Sequence, residues 1–372
     1  MSWRDWLAEL VETAFRLVPV RTRTGLRTVG HPDRSSPVLL TGNYDLTVRR
    51  LLRALRGLDA WLIVADSHGV NVWCAASGGH LGTHQVVTAL KVARLESRVV
   101  HRQVIVPQLA ATGIEAKEVR RRTGWIVRFG PADAKDIPTY LAANHEKTEA
   151  MRLVRFGLRD RLEMAAAWAT PVSLAAVAIG WRHLGAAVVL VWALAVAVFL
   201  GYDRLPLSER ARQITTGAAA TAVVLIVLAA VGALTLGPAL AWTAAAITCT
   251  GLLTFDFAGS TPTAPAGLFE EKQLQVVLDL ERCTGAWSCW AVCPEAVFEK
   301  RPEAHKVAIV RGDRCIRCGA CLVQCPQDAL AFAAPDGRRV EPETIRRHKL
   351  NLLGRRAVRP SESEAEGVAK LE

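Results

Sequence analysis

Residues 315–326 read Cys-Ile-Arg-Cys-Gly-Ala-Cys-Leu-Val-Gln-Cys-Pro, and this stretch decides the fold of the C-terminal part of the chain. The spacing C-x2-C-x2-C-x3-C-P is a pattern of thiolate ligands for iron–sulfur clusters, in which three cysteines hold one cluster and the fourth crosses to another. Seven of the nine cysteines crowd into residues 283–325. Such a density indicates metal ligation in a reducing compartment, and not a disulfide framework.

A half-repeat of this pattern lies 32 residues upstream, and at the same shift Cys318 falls on Ala286. The register predicts one complete site for a 4Fe-4S cluster, formed by Cys293, Cys315, Cys318 and Cys321. It predicts a second site with three ligands, Cys283, Cys289 and Cys325. One iron there lacks a thiolate, which leaves three outcomes: a 3Fe-4S cluster, a labile 4Fe-4S cluster whose fourth iron binds water or another group, or an empty site. We therefore expect a small α+β bacterial two-cluster ferredoxin domain over residues 274–335.

The composition of the chain is apolar for its charge. Hydrophobic residues make up 51%, the mean hydropathy is +0.20, and 46 Lys and Arg face 35 Asp and Glu, a net charge of +11. These values exclude disorder and favour a membrane protein. Four nearly uncharged stretches predict a four-helix transmembrane domain over residues 161–258, with spans at 164–180, 184–201, 213–237 and 239–255.

The basic residues around these stretches predict their orientation. Arg152, Arg155, Arg159 and Arg161 precede the first span, whereas the turn after Leu236 has no base. The positive-inside rule then predicts a multi-pass protein of the inner (cytoplasmic) membrane with both terminal domains cytoplasmic. Bases beside the spans and in the tail indicate membrane lipid, and not nucleic acid, as the partner.

The polar segments around the membrane domain complete the domain organisation. Residues 1–30 form an amphipathic N-terminal segment, for which docking on the protein is favoured over lying on a membrane. Residues 31–160 alternate short β-like runs with helical ones and predict an α/β domain with a largely parallel, Rossmann-like sheet. We expect a linker over residues 259–273 and a polar, disordered tail over residues 336–372.

A cysteine follows the predicted strand that ends near Asp66. Asn71 is a good helix N-cap, and it would place Cys74 in the first turn, where free backbone N–H groups favour a thiolate. A buried, inert cysteine is an equally reasonable interpretation of the residues alone.

The segment NVWCAASGGHLGT, residues 71–83, resembles the cap-helix motif of the corrinoid protein of mercury methylation. The resemblance extends over residues 28–268, through stretches such as RTVGHPDRSSPVLLTGNYDLT and FDFAGSTPTAPAG. That family is related to the corrinoid-binding domain of the corrinoid iron–sulfur protein of acetyl-CoA synthesis (the CO dehydrogenase/acetyl-CoA synthase delta-subunit family). Its partner is a two-cluster ferredoxin, so this chain resembles the two proteins fused.

The resemblance implies a bound corrinoid of the cobalamin type, with Cys74 as the lower axial ligand of cobalt. The remaining implied cofactor contacts are the cap-helix residues Asn71, Val72, Trp73, Ala75 and Ala76, and the loop residues Thr41, Gly42, Asn43, Gly130 and Pro131. Two departures are visible: Ser77-Gly78 replaces Gly-Lys of the family motif, and the tail ends in VAKLE where the partner ferredoxin ends in a Cys pair. His68, in Asp66-x-His68-x2-Asn71, is the alternative cobalt ligand.

The resemblance implies an enzyme, a membrane-bound corrinoid methyltransferase. Its clusters would reduce cobalt to Co(I), a methyl donor protein or methylated pterin would supply the methyl group, and Hg(II) would accept it. A low-potential electron donor would supply the electrons. Three alternatives remain: a corrinoid methyltransferase with another soft acceptor, a membrane-anchored iron–sulfur electron-transfer protein without corrinoid, and a structural membrane scaffold.

Overall fold

A computed structural model gives the structure of the chain and describes residues 3–16, 18–178, 184–200, 223, 225–227, 230, 274–351 and 354–357. The chain forms two compact units. One unit comprises Met1–Val18 and Arg155–Ala264, and the other comprises Pro19–Val154 and Pro265–Glu372. The α/β domain and the ferredoxin domain expected from the sequence therefore fall within one unit. Their individual boundaries stay predictions.

A five-stranded sheet forms the centre of the α/β domain, in the order β1-β3-β2-β4-β5. Its strands are β1 (Gly25–Val29), β2 (Val38–Gly42), β3 (Ala60–Ala65), β4 (Gln103–Val106) and β5 (Ile126–Phe129). Strands β2 to β5 are parallel, whereas β1 pairs antiparallel with β3. Every residue of β2 and β3 is buried, as expected of parallel strands covered on both faces. The largely parallel sheet predicted from the sequence is thus present.

Helices cover both faces of this sheet: α2 (Asp45–Ala54), α3 (Val72–Ser77), α4 (Thr83–Ala93), α5 (Ala116–Thr123), α6 (Ile137–Ala142) and α7 (Glu149–Arg152). Because side chains alternate along a strand, Leu40 packs in one core with α3 and α4, and Leu39 packs in the other core with α2 and α6. After β3 the chain crosses to the far side of β2 to form β4. The switch point, where open α/β sheets bind ligands, therefore lies between the carboxyl ends of β2 and β4.

The ferredoxin domain is made of short elements around buried cysteines. These are β6 (Gln275–Leu278), α10 (Ser288–Val292), β7 (Phe298–Arg301), β8 (Lys306–Ile309), α11 (Ala320–Gln324), β9 (Leu330–Ala333) and β10 (Arg339–Val340). Strands β10, β9 and β6 form an antiparallel sheet, and β7 pairs with β8. The stretch after β10 continues with α12 (Pro342–Arg347), β11 (His348–Asn351) and β12 (Gly354–Ala357).

The other unit contains α1 (Trp3–Ala14), α8 (Leu158–Ala178) and α9 (Leu184–Leu200). Helices α8 and α9 pack through Ala165, Ala169 and Phe199. The N-terminal segment docks on α8 by charge: Arg16 contacts Glu163 at 3.3 Å, and Glu9 lies 3.7 Å from Arg159.

The expected transmembrane domain is wrong, and so is the multi-pass membrane localisation. Within the part of the chain that the structure describes, no helix combines the length and the apolar character needed to cross a membrane. Helix α8 has 21 residues, but charged side chains such as Arg159, Asp160 and Glu163 occupy its start. Helix α9 has 17 residues, about 26 Å at roughly 1.5 Å per residue, against a hydrocarbon core of roughly 30 Å. The third and fourth expected spans lie outside the described residues, apart from 223, 225–227 and 230.

Candidate functional site

The carboxyl ends of β2 and β3 are joined by a buried hydrogen-bond network. The side-chain oxygen of Asn43 accepts from the backbone N–H groups of Ser67, at 2.8 Å, and Gly69, at 3.0 Å. A Cβ on Gly42 would lie 2.6 Å from Ser67 Oγ, so only glycine allows the two strand ends to approach this closely. The loop that precedes α3 is thereby fixed at the switch-point edge of the sheet.

Helix α3 presents Cys74 at this edge. The side chain of Asn71 caps the helix by accepting a hydrogen bond from Cys74 N at 2.9 Å, as the sequence predicts. Ala75 and Ala76 are fully buried, whereas Trp73 and Cys74 are half-buried. The helix is therefore anchored by its small residues, with the half-buried Cys74 in its first turn.

The loop after β4 packs against α3. Gly113 packs directly against α3, because a Cβ there would lie 2.9 Å from Ala76 O. The neighbouring hydroxyl of Thr112 is buried and has no hydrogen-bond partner among the described residues. Two features fit a metal-containing cofactor at this switch point. One is the buried Thr112 hydroxyl without a partner among the described residues, and the other is the half-buried, soft sulfur of Cys74.

The other residues expected to line the corrinoid have different neighbours. Thr41 shares its face of β2 with Leu39, and this face is opposite to the one that α3 covers. Its buried hydroxyl also lacks a partner among the described residues. Gly130 and Pro131 are buried at the end of β5, where Gly130 O accepts from Lys147 Nζ at 3.1 Å. Gly42 and Asn43 thus lie at the loop that leads into α3, whereas Gly130 contacts Lys147.

His68, the alternative ligand, is exposed on the loop before α3. Its ring centroid lies 5.0 Å from that of His80, and its Nδ1 lies 4.0 Å from an Asp66 carboxylate oxygen. The residue adopts a φ of 59°, in the left-handed region that non-glycine residues seldom occupy.

The cluster cysteines line two cavities of the ferredoxin domain. The first, of about 310 Å³, is lined by all four cysteines of the predicted complete site: Cys293, Cys315, Cys318 and Cys321. The second, of about 330 Å³, is lined by Cys283, Cys289, Cys325 and, at the fourth position, Ala286. Both cavities are open, including the one with Ala286 at the fourth position. Among the described residues that line it there is no Asp, Glu or His, although the hydroxyls of Thr284 and Ser288 are present.

The backbone follows the same 32-residue repeat as the cysteines. Left-handed φ angles occur in pairs at this interval: 54° at Trp287 and 77° at Gly319, and 50° at both Ala296 and Asp328. Both cavities are therefore enclosed by equivalent turns, which fits a cluster in each. No three His, Cys, Asp or Glu side chains of the described residues converge as ligands of a single metal ion. The spacing of the cysteines is that of iron–sulfur cluster ligands.

Burial dominates the electrostatics of these thiols. It raises the pKa of Cys289 to about 12 and that of Cys315 to about 11, and it raises the pKa of Cys321 well above its ordinary value. A buried thiolate needs a compensating cation, and coordination to iron supplies one. The donor set is therefore suited to binding iron and poorly suited to remaining as thiolates without metal.

The ferredoxin domain docks on the loop that supports α3. Gln324 Nε2 donates to Ala111 O at 2.7 Å and to Ile114 O at 2.5 Å. Cys318, a ligand of the complete site, packs in a small apolar cluster with Ala111 and Phe129. The complete cavity is thus adjacent to the α/β domain, on the same loop, residues 107–114, that contacts α3.

Two basic residues complete this contact, the half-buried Lys147 and the buried Arg152, and the sequence did not reveal either role. Lys147 Nζ donates to Gln108 Oε1, Gly130 O and Ala291 O, at 3.0, 3.1 and 2.6 Å. Burial lowers the pKa of Lys147 to about 7, and the charge of Arg152 adds to this effect. Arg152 is only 1% exposed and stacks on Trp290. The sequence groups Arg152 with the bases before the first expected membrane span, and no local signal distinguishes it from Arg155 and Arg159.

Comparisons with known proteins agree with both parts of this unit. Residues 7–141 match the family model described as CO dehydrogenase/acetyl-CoA synthase delta subunit, and residues 275–326 match that of a 4Fe-4S dicluster domain. The chain therefore contains a domain of this CO dehydrogenase/acetyl-CoA synthase family and a 4Fe-4S dicluster domain.

The similar curated proteins are gamma subunits of acetyl-CoA decarbonylase/synthase complexes. The one from Methanopyrus kandleri is 33% identical over 125 residues, 33% of this chain and 27% of that subunit. Those from Methanothermobacter thermautotrophicus (36% over 125 residues, the same shares) and Methanosarcina acetivorans (34% over 142 residues, 37% and 30%) are alike. The chain spans less than a third of the length of these relatives. Their names do not mention mercury, so the mercury part of the resemblance is not shown.

Proposed function

We propose that this chain is a corrinoid methyl carrier whose own iron–sulfur clusters reduce its cobalt. The observation that carries the proposal is the shared loop, residues 107–114, which contacts α3 through Gly113 and the complete cluster cavity through Ala111. A reductant and a cofactor site at one loop fit electron transfer within a single chain.

The residues of the chain have distinct tasks in this proposal. The corrinoid, when bound, supplies the cobalt that accepts and hands on a methyl group. Cys74 would bind that metal through sulfur, held by the Asn71 cap and by the buried Ala75 and Ala76. A thiolate ligand donates electron density and makes the metal hard to reduce, so a strong reductant must lie close. Clusters on cysteine ligands reach roughly −400 mV and below, which suits that task.

Metal analysis and the visible spectrum test this proposal. Protein purified anaerobically should contain cobalt and iron, and its spectrum should differ from that of free corrinoid because of the sulfur ligand. Cys74→Ala should abolish that difference, whereas His68→Ala should keep it. Loss of the difference in His68→Ala alone would assign the ligand to His68, and iron without cobalt would leave an electron-transfer protein.

For the acceptor we propose Hg(II), on the basis of the likeness of residues 71–83 to the mercury-methylation motif. The methyl donor would be a methylated pterin or a methyl donor protein, and a low-potential carrier would supply electrons. A host without such a gene, expressing this chain and supplied with isotope-labelled Hg(II), should form labelled methylmercury, and the Cys74→Ala form should not.

The relatives favour a second acceptor. They are subunits of acetyl-CoA decarbonylase/synthase complexes, so the methyl group of this chain would instead pass to a partner subunit in acetyl-CoA synthesis. A loaded chain that forms no methylmercury, but loses its methyl group to such a complex, would select this acceptor and leave the corrinoid proposal intact.

A further inference from the structure

Arg152 is a cation of the α/β domain that is buried against the ferredoxin domain. It is the last residue of α7, and 1% of its surface is exposed. Its guanidinium carbon lies 4.1 Å from the centroid of the Trp290 ring, and its NH1 donates to Trp290 O at 3.1 Å. Arginine stays protonated in proteins, so this charge is permanent.

The position of Arg152 brings its charge close to ligands of both cluster sites. Trp290 directly follows Cys289, a ligand of the three-cysteine site, on helix α10. Val154 N donates to Pro294 O at 3.1 Å, which holds the segment after Arg152 beside Cys293, a ligand of the complete site.

Little negative charge compensates Arg152. Glu149 Oε1 lies 3.8 Å from its NH2, but Glu149 is largely exposed and also contacts Arg311 at 3.2 Å. A second cation lies near the same ring, since Lys300 Nζ is 3.9 Å from the ring centroid. Arg152 Nε is buried and has no hydrogen-bond partner among the described residues. Its N–H is a donor of the kind that bonds to cluster sulfur.

We propose that the buried charge of Arg152 raises the reduction potential of the complete cluster, the one that adjoins the α/β domain. Reduction adds one negative charge to a cluster, and a buried cation nearby stabilises the reduced form. An external low-potential carrier loses one electron to the cluster pair. The carrier would be oxidised by one electron and the complete cluster reduced by one. The electron then resides next to Cys318 and Ala111.

This inference rests on the clusters and not on the corrinoid. It concerns a residue outside both matched ranges, 7–141 and 275–326. A chain that never binds cobalt would still show the effect of Arg152 on its clusters. Failure of the proposed methyl transfer and failure of this inference are therefore separate results.

Redox titration of the full chain, followed by electron paramagnetic resonance, tests the inference. In Arg152→Gln the reduced-to-oxidised ratio of the complete cluster at a fixed potential should fall about tenfold, a shift of about 59 mV to lower potential for one electron. Arg152→Lys keeps the charge and should shift less. Arg301→Gln is the matched control, because Arg301 lies in the same domain and is half exposed, so its charge is screened by solvent.

A second variant keeps the inference testable if Arg152→Gln does not fold. Glu149→Gln removes the carboxylate that partly neutralises Arg152, so it should shift the potential in the opposite direction, to a higher value and by less. An unchanged or higher potential in a cluster-loaded Arg152→Gln protein would overturn the inference. So would an Arg152→Lys protein shifted as far as Arg152→Gln, or a lower potential in Glu149→Gln.

Discussion

Replacing Gln324 by Leu should weaken the contact between the ferredoxin domain and the loop of residues 107–114. Gln324 is 9% exposed, and its amide satisfies two backbone carbonyls, Ala111 O at 2.7 Å and Ile114 O at 2.5 Å. Its Oε1 also accepts from Ala116 N at the longer distance of 3.4 Å. Leucine fills a similar volume and bonds to none of these groups, so the substitution isolates the loss of hydrogen bonds.

The expected cost follows from the two short bonds. A buried polar group that loses its partner costs about 1–3 kcal/mol, and entry of water recovers part of this. Two carbonyls give about 2–4 kcal/mol, and the long Ala116 contact adds little. Since about 1.4 kcal/mol is a factor of ten, amides at the contact should exchange at least about thirtyfold faster through local opening.

Hydrogen exchange of the cluster-loaded chain measures this effect. The amides of residues 108–116 and 320–324 should lose protection in Gln324→Leu, while those of β2 and β3 should not. Gln275→Leu is the control, because Gln275 is an exposed residue of β6 in the same domain. Equal exchange in the two variants would refute the role assigned to Gln324.

Three further predictions follow from the sites. Ala286→Cys should convert the three-cysteine site to a stable four-iron site, because Ala286 lines its cavity at the register of Cys318; a three-iron resonance that persists in the variant would contradict this. The pKa of Lys147 is about 7 in the folded chain, against about 10.4 for lysine in an unfolded chain. Between these pH values the unfolded state binds more protons, so the free energy of unfolding should rise with pH from 7 to 9. Urea unfolding should show this slope, and Lys147→Met should flatten it. Thr112→Val should leave the stability of the cobalt-free chain within about 1 kcal/mol, because its hydroxyl has no partner to lose, and a greater loss would reveal one.

The sequence predicts the local features of the site well. The 32-residue interval between cysteines reappears in the backbone angles of Trp287 and Gly319, because equivalent turns need equivalent conformations. The Asn71 cap is also local, since an N-cap depends on residues within one turn of the helix. Apolar strands with helical runs between them sufficed for the parallel sheet.

Features that depend on tertiary packing escaped prediction. Nothing near Arg152 in the sequence indicates that Trp290, 138 positions later, will cover it. Gly130 follows β5 as expected, whereas Thr41, expected in a loop, lies within β2. Strand alternation and the contact with Lys147 decide which neighbours these two residues face. The transmembrane prediction failed because low charge alone does not give helix length, and α8 begins within the charged stretch before its apolar part.

The kinetics of cobalt reduction test whether the clusters of this chain reduce its own cobalt. The full chain, loaded with clusters and Co(II) corrinoid, is mixed with a limiting low-potential reductant, and the cobalt and cluster absorbances are followed in time. After the clusters are reduced, cobalt reduction should follow at a rate independent of protein concentration, because both sites adjoin the loop of residues 107–114. A rate proportional to protein concentration, or reduced clusters beside cobalt that stays oxidised, would contradict it.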